Sequence, residues 1–239
     1  MHAKDLQLDL KKLANKEKAM ILQGFFKTGP GEYGEGDIFL GITVPIQRNL
    51  AKNYYGMELP QIQKLLTRKI HEERLTALFI LIKNYETAKR EKNINAMEKI
   101  FDFYLENTKN INNWDLVDLS APNIIGDYLL ERKNVRKALY KLAKSKNLWS
   151  MRIAILSTYT FIKNNDFSDT IRLSEIFLGE EHDLMHKAVG WMLREVGKKD
   201  EKVLVDFLDK HYKKMPRTML RYAIEKFDEN KRKYYLNLK

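Results

Sequence analysis

A tryptophan and an aspartate, Trp114 and Asp118, lie four residues apart in the sequence. On a helix this spacing places both side chains on one face. An ionised carboxylate can stabilise positive charge that develops at a reacting atom, and an indole face attracts cations by roughly 0.5–2 kcal/mol. The pair therefore indicates chemistry on a cationic substrate. Taken singly, each residue has a more ordinary interpretation, as a core aromatic and as a capping or ion-paired acid.

The chain is strongly basic, with 43 Lys and Arg against 32 Asp and Glu and a formal net charge of +11. Because this charge is spread along the chain, it favours a folded surface that follows a phosphate backbone. An alkylated purine in DNA is a cation carried by a polyanion, and it leaves without a general acid. One carboxylate near C1′ would then stabilise the oxocarbenium-like sugar and orient water. The alternative is a generally lysine-rich protein whose charge is incidental.

Composition narrows the class of protein. The 239 residues include 44% hydrophobic residues, 11 Gly, 5 Pro and no Cys. The low Gly and Pro content favours helices, and the absence of Cys excludes disulfides and thiolate metal sites. The N-terminus lacks the long apolar stretch of a signal peptide, and no apolar run approaches the ~18 residues that a spanning helix needs. We expect a cytoplasmic protein without a membrane partner.

Hydrophobic periodicity predicts helices throughout. Leu75, Leu78, Phe79 and Ile82 follow the i, i+3, i+4, i+7 spacing of an amphipathic helix, and no segment shows the alternation of a strand. Breaks are predicted at residues 29–36, 56–60, 92–95, 108–113, 144–147, 164–169, 179–183, 197–200 and 213–216. Short loops between helices of about 10–18 residues indicate stacked helical hairpins. Pro45 is predicted to lie in the first turn of the helix that follows the first break.

The hairpins resemble a divergent repeat. Arg74, Arg152 and Lys187 each stand near a helix start, before small and branched apolar residues. The interval from Arg74 to Arg152 is about two units of a ~40-residue repeat, and the interval from Arg152 to Lys187 is about one. We therefore predict one HEAT-like domain over residues 1–239, an all-α, right-handed α-α superhelix (solenoid) with a concave basic face. The alternative is an unpatterned helical domain with these basic residues in solvent.

Two other motifs carry no predicted chemistry. Residues 29–34 match the pattern G-x-G-x-x-G, but no strand precedes them, and the nearby acids Glu32, Glu35 and Asp37 would repel a phosphate. His182 and His186 have the spacing of zinc ligands, but the neighbouring acids are normal for a helix start. No metal and no organic cofactor is expected.

Four segments together resemble the AlkD-type DNA alkylation-repair glycosylases, a HEAT-like family. They are residues 33–45 with Arg48, 113–118, 149–154 and 187–195. They occur in the family's order and span the chain from about residue 20 to about residue 230. The combination is specific, whereas no single segment would be.

The resemblance implies a monofunctional glycosylase that hydrolyses the N-glycosidic bond of N3- and N7-alkylpurines, such as 3-methyladenine and 7-methylguanine. The partner would be duplex DNA containing alkylated bases, bound by a monomer without drawing the lesion into a pocket. Asp118 matches the catalytic aspartate, Trp114 and Trp191 match the tryptophans flanking the lesion, and Arg152 matches the arginine on the backbone phosphate. We assign further DNA-backbone contacts to Lys187, Arg194 and Arg48.

This sequence departs from the family in one respect that concerns the site. Asn113 stands where some relatives carry a second tryptophan, and only Phe25 is a candidate for an aromatic contact from the N-terminal helices. The family also includes members that bind DNA without excising a base. Two alternatives therefore stay open, a non-catalytic HEAT-like module for branched or distorted DNA and a HEAT scaffold for protein partners.

Overall fold

A computed structural model of the chain describes residues 1–238. Regular structure in this part of the chain is helical, and its one β contact is an isolated parallel bridge between Ile38 and Ile70. The all-α prediction is therefore confirmed. The chain divides into two compact units, called unit 1 (Met1–Ser120) and unit 2 (from Ala121 onward). The single domain over 1–239, the repeat and the concave basic face stay predictions.

Unit 1 contains seven helices, the last of which ends at the boundary. They are α1 (Ala3–Lys12), α2 (Lys16–Phe25), α3 (Val44–Ala51), α4 (Leu59–Leu66), α5 (His71–Arg90), α6 (Ile94–Glu106) and α7 (Trp114–Ala121), with 3-10 turns at Lys52–Tyr54 and Thr108–Asn110. Pro45 lies in the first turn of α3, as predicted, where the missing N–H costs no helical hydrogen bond.

Helix α5 is the centre of unit 1. It packs against α1, α3, α4 and α6, and all of its residues from His71 to Ile82 are buried. Helix α2 is the opposite case, because none of its residues is buried, although the Asn15 side chain caps its start by accepting from Lys18 N at 2.9 Å. Unit 1 therefore combines a deeply buried central helix with a helix that lies on its surface.

The segment between α2 and α3 is anchored to α5 by one carboxylate. Glu72 accepts the backbone N–H groups of Leu40, Gly41 and Ile42 at 2.9, 2.8 and 3.2 Å. Gly41 has φ +82°, and a Cβ there would lie 2.1 Å from the carbonyl oxygen of Asn15. Only glycine fits this position, because it tolerates both the left-handed backbone and the close approach.

Unit 2 begins with a π-helical turn at Pro122–Gly126 and continues with eight helices within its described residues. These are α8 (Asp127–Leu129), α9 (Lys137–Ala143), α10 (Leu148–Lys163), α11 (Ser168–Ile176), α12 (Asp183–Lys199), α13 (Glu201–His211), α14 (Arg217–Ala223) and α15 (Glu229–Asn237). There are 3-10 turns at Lys133–Val135, Phe177–Gly179 and Tyr212–Lys214.

Helix α12 packs closely on α14 at a glycine. A Cβ on Gly190 would lie 2.5 Å from both the carbonyl oxygen of Met219 and the Cβ of Tyr222. The break predicted at 197–200 is wrong at Gly197, because α12 continues to Lys199. A Cβ on Gly197 would lie 2.4 Å from Leu204 Cδ2, so this glycine serves helix packing rather than a turn. No helix in residues 1–238 has the length and apolar character to cross a membrane.

Candidate functional site

Trp114 opens helix α7, and its ring belongs to a stack of aromatic side chains in unit 1. Phe26 lies against it at a centroid distance of 5.2 Å with an interplanar angle of 13°, and Phe39 stacks on Phe26 at 4.9 Å. His71 lies 4.5 Å from Phe39 and 5.1 Å from Phe26, and Phe25 meets Trp114 edge-on at 6.0 Å. Trp114 is thus half-buried at one end of an ordered stack, called here the Trp114 stack (Trp114, Phe26, Phe39 and His71).

His71 lies between two carboxylates in a group called here the His71 cluster (His71, Asp37, Asp115 and Arg74). Its Nε2 is 2.8 Å from Asp115 Oδ2 and its Nδ1 is 3.1 Å from Asp37 Oδ2. Arg74 contacts the other oxygen of Asp37 at 2.6 Å and also donates to the side-chain oxygen of Asn112. His71, Arg74 and Asp37 are all buried. These contacts tie the loop before α3, the start of α5 and the start of α7 together through buried charges.

The charges around His71 favour its protonated form, the imidazolium. Burial alone would lower the pKa of His71, but the charge and hydrogen bond of Asp115, with the hydrogen bond of Asp37, raise it above the usual value. Burial would raise the pKa of Asp37, but the hydrogen bond from His71 and the charge of Arg74 lower it below its usual range. In the protonated form both ring nitrogens of His71 donate, one to each carboxylate.

Asn113 joins the same cluster. Its Nδ2 donates to Asp37 Oδ2 at 3.1 Å, and its Oδ1 accepts the backbone N–H of Trp114 at 2.8 Å. The residue that replaces a second tryptophan is therefore fully buried and fixes the first turn of α7. Phe26, from the end of α2, supplies the ring that stacks on Trp114.

Asp118 lies one helical turn after Trp114 on α7, so the prediction that a helix carries both residues is confirmed. Its side chain is half-buried, and the fully buried phenol of Tyr104 lies close enough to feel its charge. Tyr104 is also bonded to Ser120 at 2.8 Å. Burial, together with the Asp118 charge, raises the pKa of this phenol, which keeps it neutral.

Trp191 lies in the middle of α12 in unit 2 and is also half-buried. Its aromatic neighbour is Tyr159 of α10, at a centroid distance of 6.0 Å and an angle of 42°. Lys163 places its ammonium 4.4 Å from the Tyr159 ring. Tyr159 was not foreseen, because nothing in the spacing of α10 distinguishes it from a core aromatic.

Arg152 is buried in α10, with 4% of its surface exposed. Its Nη1 donates to the carbonyl oxygen of Leu184 at 2.6 Å, which connects α10 to the first turn of α12. The interpretation that this arginine would lie in solvent is therefore wrong. Arg74 is also buried, and its guanidinium serves the His71 cluster rather than an open face.

The other predicted DNA contacts are on the surface or half-buried. Lys187 pairs with Asp183 at 2.7 Å, one turn earlier on α12. Arg194 contacts Glu195 at 3.2 Å and also pairs with Glu225. Arg48, on α3 of unit 1, is exposed and holds its guanidinium 4.5 Å above the Phe79 ring.

The two rejected motifs have structural roles. In the glycine-rich segment, Glu32 and Glu35 accept the amides of Gly29 and Gly31 at 2.9 and 3.0 Å, so its own carboxylates occupy the loop. His182 caps α12 by accepting from Leu184 N, and the ring of His186 contacts the carbonyl oxygen of Glu180. Across residues 1–238, no three His, Cys, Asp or Glu side chains are grouped to hold a metal ion.

Comparison with known proteins identifies the family of this chain. The family model described as DNA alkylation repair enzyme matches residues 6–227, and the chain belongs to this family. Its members act in DNA repair, which confirms the resemblance drawn from the four sequence segments.

Among solved structures, the chain is similar to a protein described as a predicted DNA alkylation repair enzyme from Enterococcus faecalis. The TM-score is 0.70 at 16% sequence identity, and the match covers 90% of this chain and 97% of that chain. At this identity the likeness shows the fold alone. No curated protein matches the sequence.

Proposed function

We propose that this chain is a monofunctional alkylpurine-DNA glycosylase that releases N3- and N7-alkylated purines, such as 3-methyladenine and 7-methylguanine, and so initiates base excision repair. The observation that carries the proposal is the pairing of Trp114 with Asp118 on one helix of a DNA repair family member. Both side chains are half-buried, so each has surface left for a ligand. The Trp114 stack and the His71 cluster hold the start of that helix.

The proposed reaction is hydrolysis of the bond between C1′ and the purine nitrogen. The bond electrons move to the purine and cancel its positive charge, so no acid is required. Asp118 stabilises the cation that develops on the sugar and orients the water whose oxygen adds to C1′. The water proton passes to Asp118 or to solvent, and an abasic site remains. No residue here forms a covalent intermediate or cuts the strand.

The remaining proposed roles concern binding of the DNA. Trp114 and Trp191 pack beside the cationic nucleotide, where indole faces attract positive charge. Arg152 holds the phosphate near the reacting sugar. Lys187, Arg194 and Arg48 bind backbone phosphate. The protein binds duplex DNA as a monomer. No metal or organic cofactor takes part.

The test is the variant Asp118→Asn on duplex DNA that contains 7-methylguanine. Removal of one electrostatic contact of this kind costs about 10²–10³-fold in rate. We expect base release to fall by that factor while the affinity for DNA is retained. The matched control is Asp102→Asn on α6, an exposed acid in the same unit, which should leave base release unchanged.

Two outcomes would contradict the proposal. Equal base release by Asp118→Asn and the unaltered protein would exclude the assigned mechanism. An unaltered protein that binds DNA but releases no base from methylated duplexes would instead be the non-catalytic module for distorted DNA.

A further inference from the structure

A cavity of about 290 Å³ lies beside the Trp114 stack, within unit 1. Its walls come from α2, the segment before α3, the first half of α3, the start of α5 and the start of α7. The apolar part of the lining includes Ile21, Leu22, Phe26, Phe39, Ile42 and Leu75. Phe26 therefore faces this cavity while its ring stacks on Trp114, so a single ring separates the cavity from the proposed site.

The volume limits what can bind. Small-molecule pockets typically have volumes of about 300–1,000 Å³. At about 290 Å³ the cavity lies at the lower end of that range, so it suits one compact molecule and not a peptide or an oligonucleotide. The mainly apolar lining favours a molecule with large apolar or aromatic faces and few polar groups.

Phe26 presents a ring edge to the cavity. Its ring is stacked with Trp114 at 5.2 Å and with Phe39 at 4.9 Å, so the faces of Phe26 already have partners. Ring edges carry positive partial charge and prefer the electron-rich face of another aromatic system. A ligand ring that enters the cavity is therefore expected to be electron-rich and uncharged, and to meet Phe26 edge-to-face.

The polar residues that line the cavity are Lys18, Thr43, Gln47, His71, Glu72 and Asp115. Of these, Asp115 supplies an acceptor for a ligand. Its Oδ2 contacts His71 and its Oδ1 accepts the N–H of Leu116 at 2.9 Å. A carboxylate offers about four acceptor positions, so about two remain. The Asp115 side chain is 16% exposed and lines the cavity, where it can accept from an N–H group of a ligand. The ligand must therefore carry a donor on the edge of its ring.

We propose that this cavity binds a purine base. A purine is planar, electron-rich and compact, and it carries N–H donors on its edge. Enzymes that extrude bases read them by edge hydrogen bonds and by packing against aromatic and apolar side chains. The choice of purine as the ring rests on the proposed glycosylase function, whose reaction releases this class of product next to the cavity. The sequence resemblance implied no such pocket.

The experiment measures binding of free adenine and 3-methyladenine by the full-length protein in the absence of DNA, by titration calorimetry. Ile21 and Met20 are neighbours on α2 and each is 70% exposed, but only Ile21 lines the cavity. Because of that exposure, a larger side chain at either position leaves the core intact. Ile21→Trp fills the mouth of the cavity, and Met20→Trp is the matched control.

We expect saturable binding of both bases by the unaltered protein. Ile21→Trp should weaken it by more than about tenfold, since one extra or missing methylene in a hydrophobic pocket already changes discrimination by about 10–200-fold. Met20→Trp should bind as the unaltered protein does. Absence of saturable binding by the unaltered protein, or an equal loss in both tryptophan variants, would overturn the proposal.

The failure of this proposal can be told apart from failure of the proposed function. A protein that releases 7-methylguanine from DNA but binds no free purine would refute the cavity assignment alone. A protein that binds purines, loses that binding in Ile21→Trp and releases no base from DNA would support the cavity and refute the glycosylase.

Discussion

Trp114 in unit 1 and Trp191 in unit 2 are held in different ways. Trp114 lies against Phe26 in a stack whose other end, His71, is fixed by two carboxylates. Trp191 has Tyr159 as its aromatic neighbour, and its helix is fixed next to it by the close contact at Gly190. One tryptophan is therefore positioned through buried charge and stacked rings, and the other through the approach of two helix backbones.

The two units also differ in their surfaces. On α2 of unit 1, Met20, Ile21 and Phe25 expose 70%, 70% and 62% of their surface, whereas in the described part of unit 2 only Ile176 and Tyr234 are large exposed hydrophobic residues. The surface and half-buried candidates of unit 2, Lys187 and Arg194, contact acids. Unit 1 thus offers apolar and aromatic surface next to its tryptophan, whereas the cations that we propose as phosphate contacts in unit 2 are paired with carboxylates.

The largest expected effect is that of removing a buried charge from unit 1. Arg74→Met leaves Asp37 with one cationic partner fewer in a buried site, and breaking a buried ion pair costs about 3–5 kcal/mol. We expect the free energy of unfolding in urea to fall by this amount.

The control for Arg74→Met is Lys83→Met, on the same helix α5. Lys83 lies 3.2 Å from Glu86, and the two side chains are 39% and 56% exposed. Pairs of this exposed kind contribute about 0–1 kcal/mol. If the two variants lost equal stability, the buried charges would not be what distinguishes unit 1.

The sequence predicted those parts of the molecule that depend on local spacing. The four-residue interval between Trp114 and Asp118 predicted their common helix, and Pro45 was placed correctly in the first turn of α3. The family followed from four short segments in order. Each of these inferences needs only neighbours along the chain and the geometry of one helix.

The His71 cluster could not be predicted in this way. Its contacts join Asp37, His71 and Asp115, which are 34 and 44 residues apart along the chain. The polar run from His71 to Arg74 reads as the exposed start of a helix, yet all four residues are buried. The one available signal was that polar run directly before a long apolar stretch. Gly197 was misassigned for a related reason, since its packing partner Leu204 is on another helix.

A smaller loss is expected when the close contact in unit 2 is opened. Gly190→Ala places a Cβ 2.5 Å from a backbone oxygen and from the Cβ of Tyr222, so α12 and α14 must move apart. Overpacking of this kind costs about 1–3 kcal/mol. We expect a lower free energy of unfolding and a weaker affinity for DNA, because Trp191 and Lys187 move with α12.

Gly179→Ala is the control for that substitution, because nothing lies within 4 Å of the position of its Cβ. It should change stability by a few tenths of a kcal/mol, in the range of ordinary surface substitutions. Should Gly190→Ala be as stable as Gly179→Ala, the contact between α12 and α14 would not be what fixes Trp191.

The smallest expected effect is the difference between two pH values in the stability that His71→Gln loses. The pKa of His71 is raised by Asp115 and Asp37 above its ordinary 6.5, so the folded state holds the proton more tightly than the unfolded chain. The resulting stabilisation is complete below pH 6.5 and is lost as the pH rises through the folded-state pKa. Asp37, whose pKa is lowered, stays ionised over this range.

His71→Gln should therefore lower the melting temperature more at about pH 6 than at about pH 9, on either side of the histidine range. His211→Gln in unit 2 is the control, since that imidazole contacts one carboxylate, Glu175, which is 46% exposed. If His71→Gln lowered the melting temperature equally at both pH values, His71 would be neutral in the folded protein. The start of α7 would then be held by hydrogen bonds and stacked rings. Of the buried charges that distinguish the surroundings of Trp114 from those of Trp191, only Arg74 and Asp37 would remain.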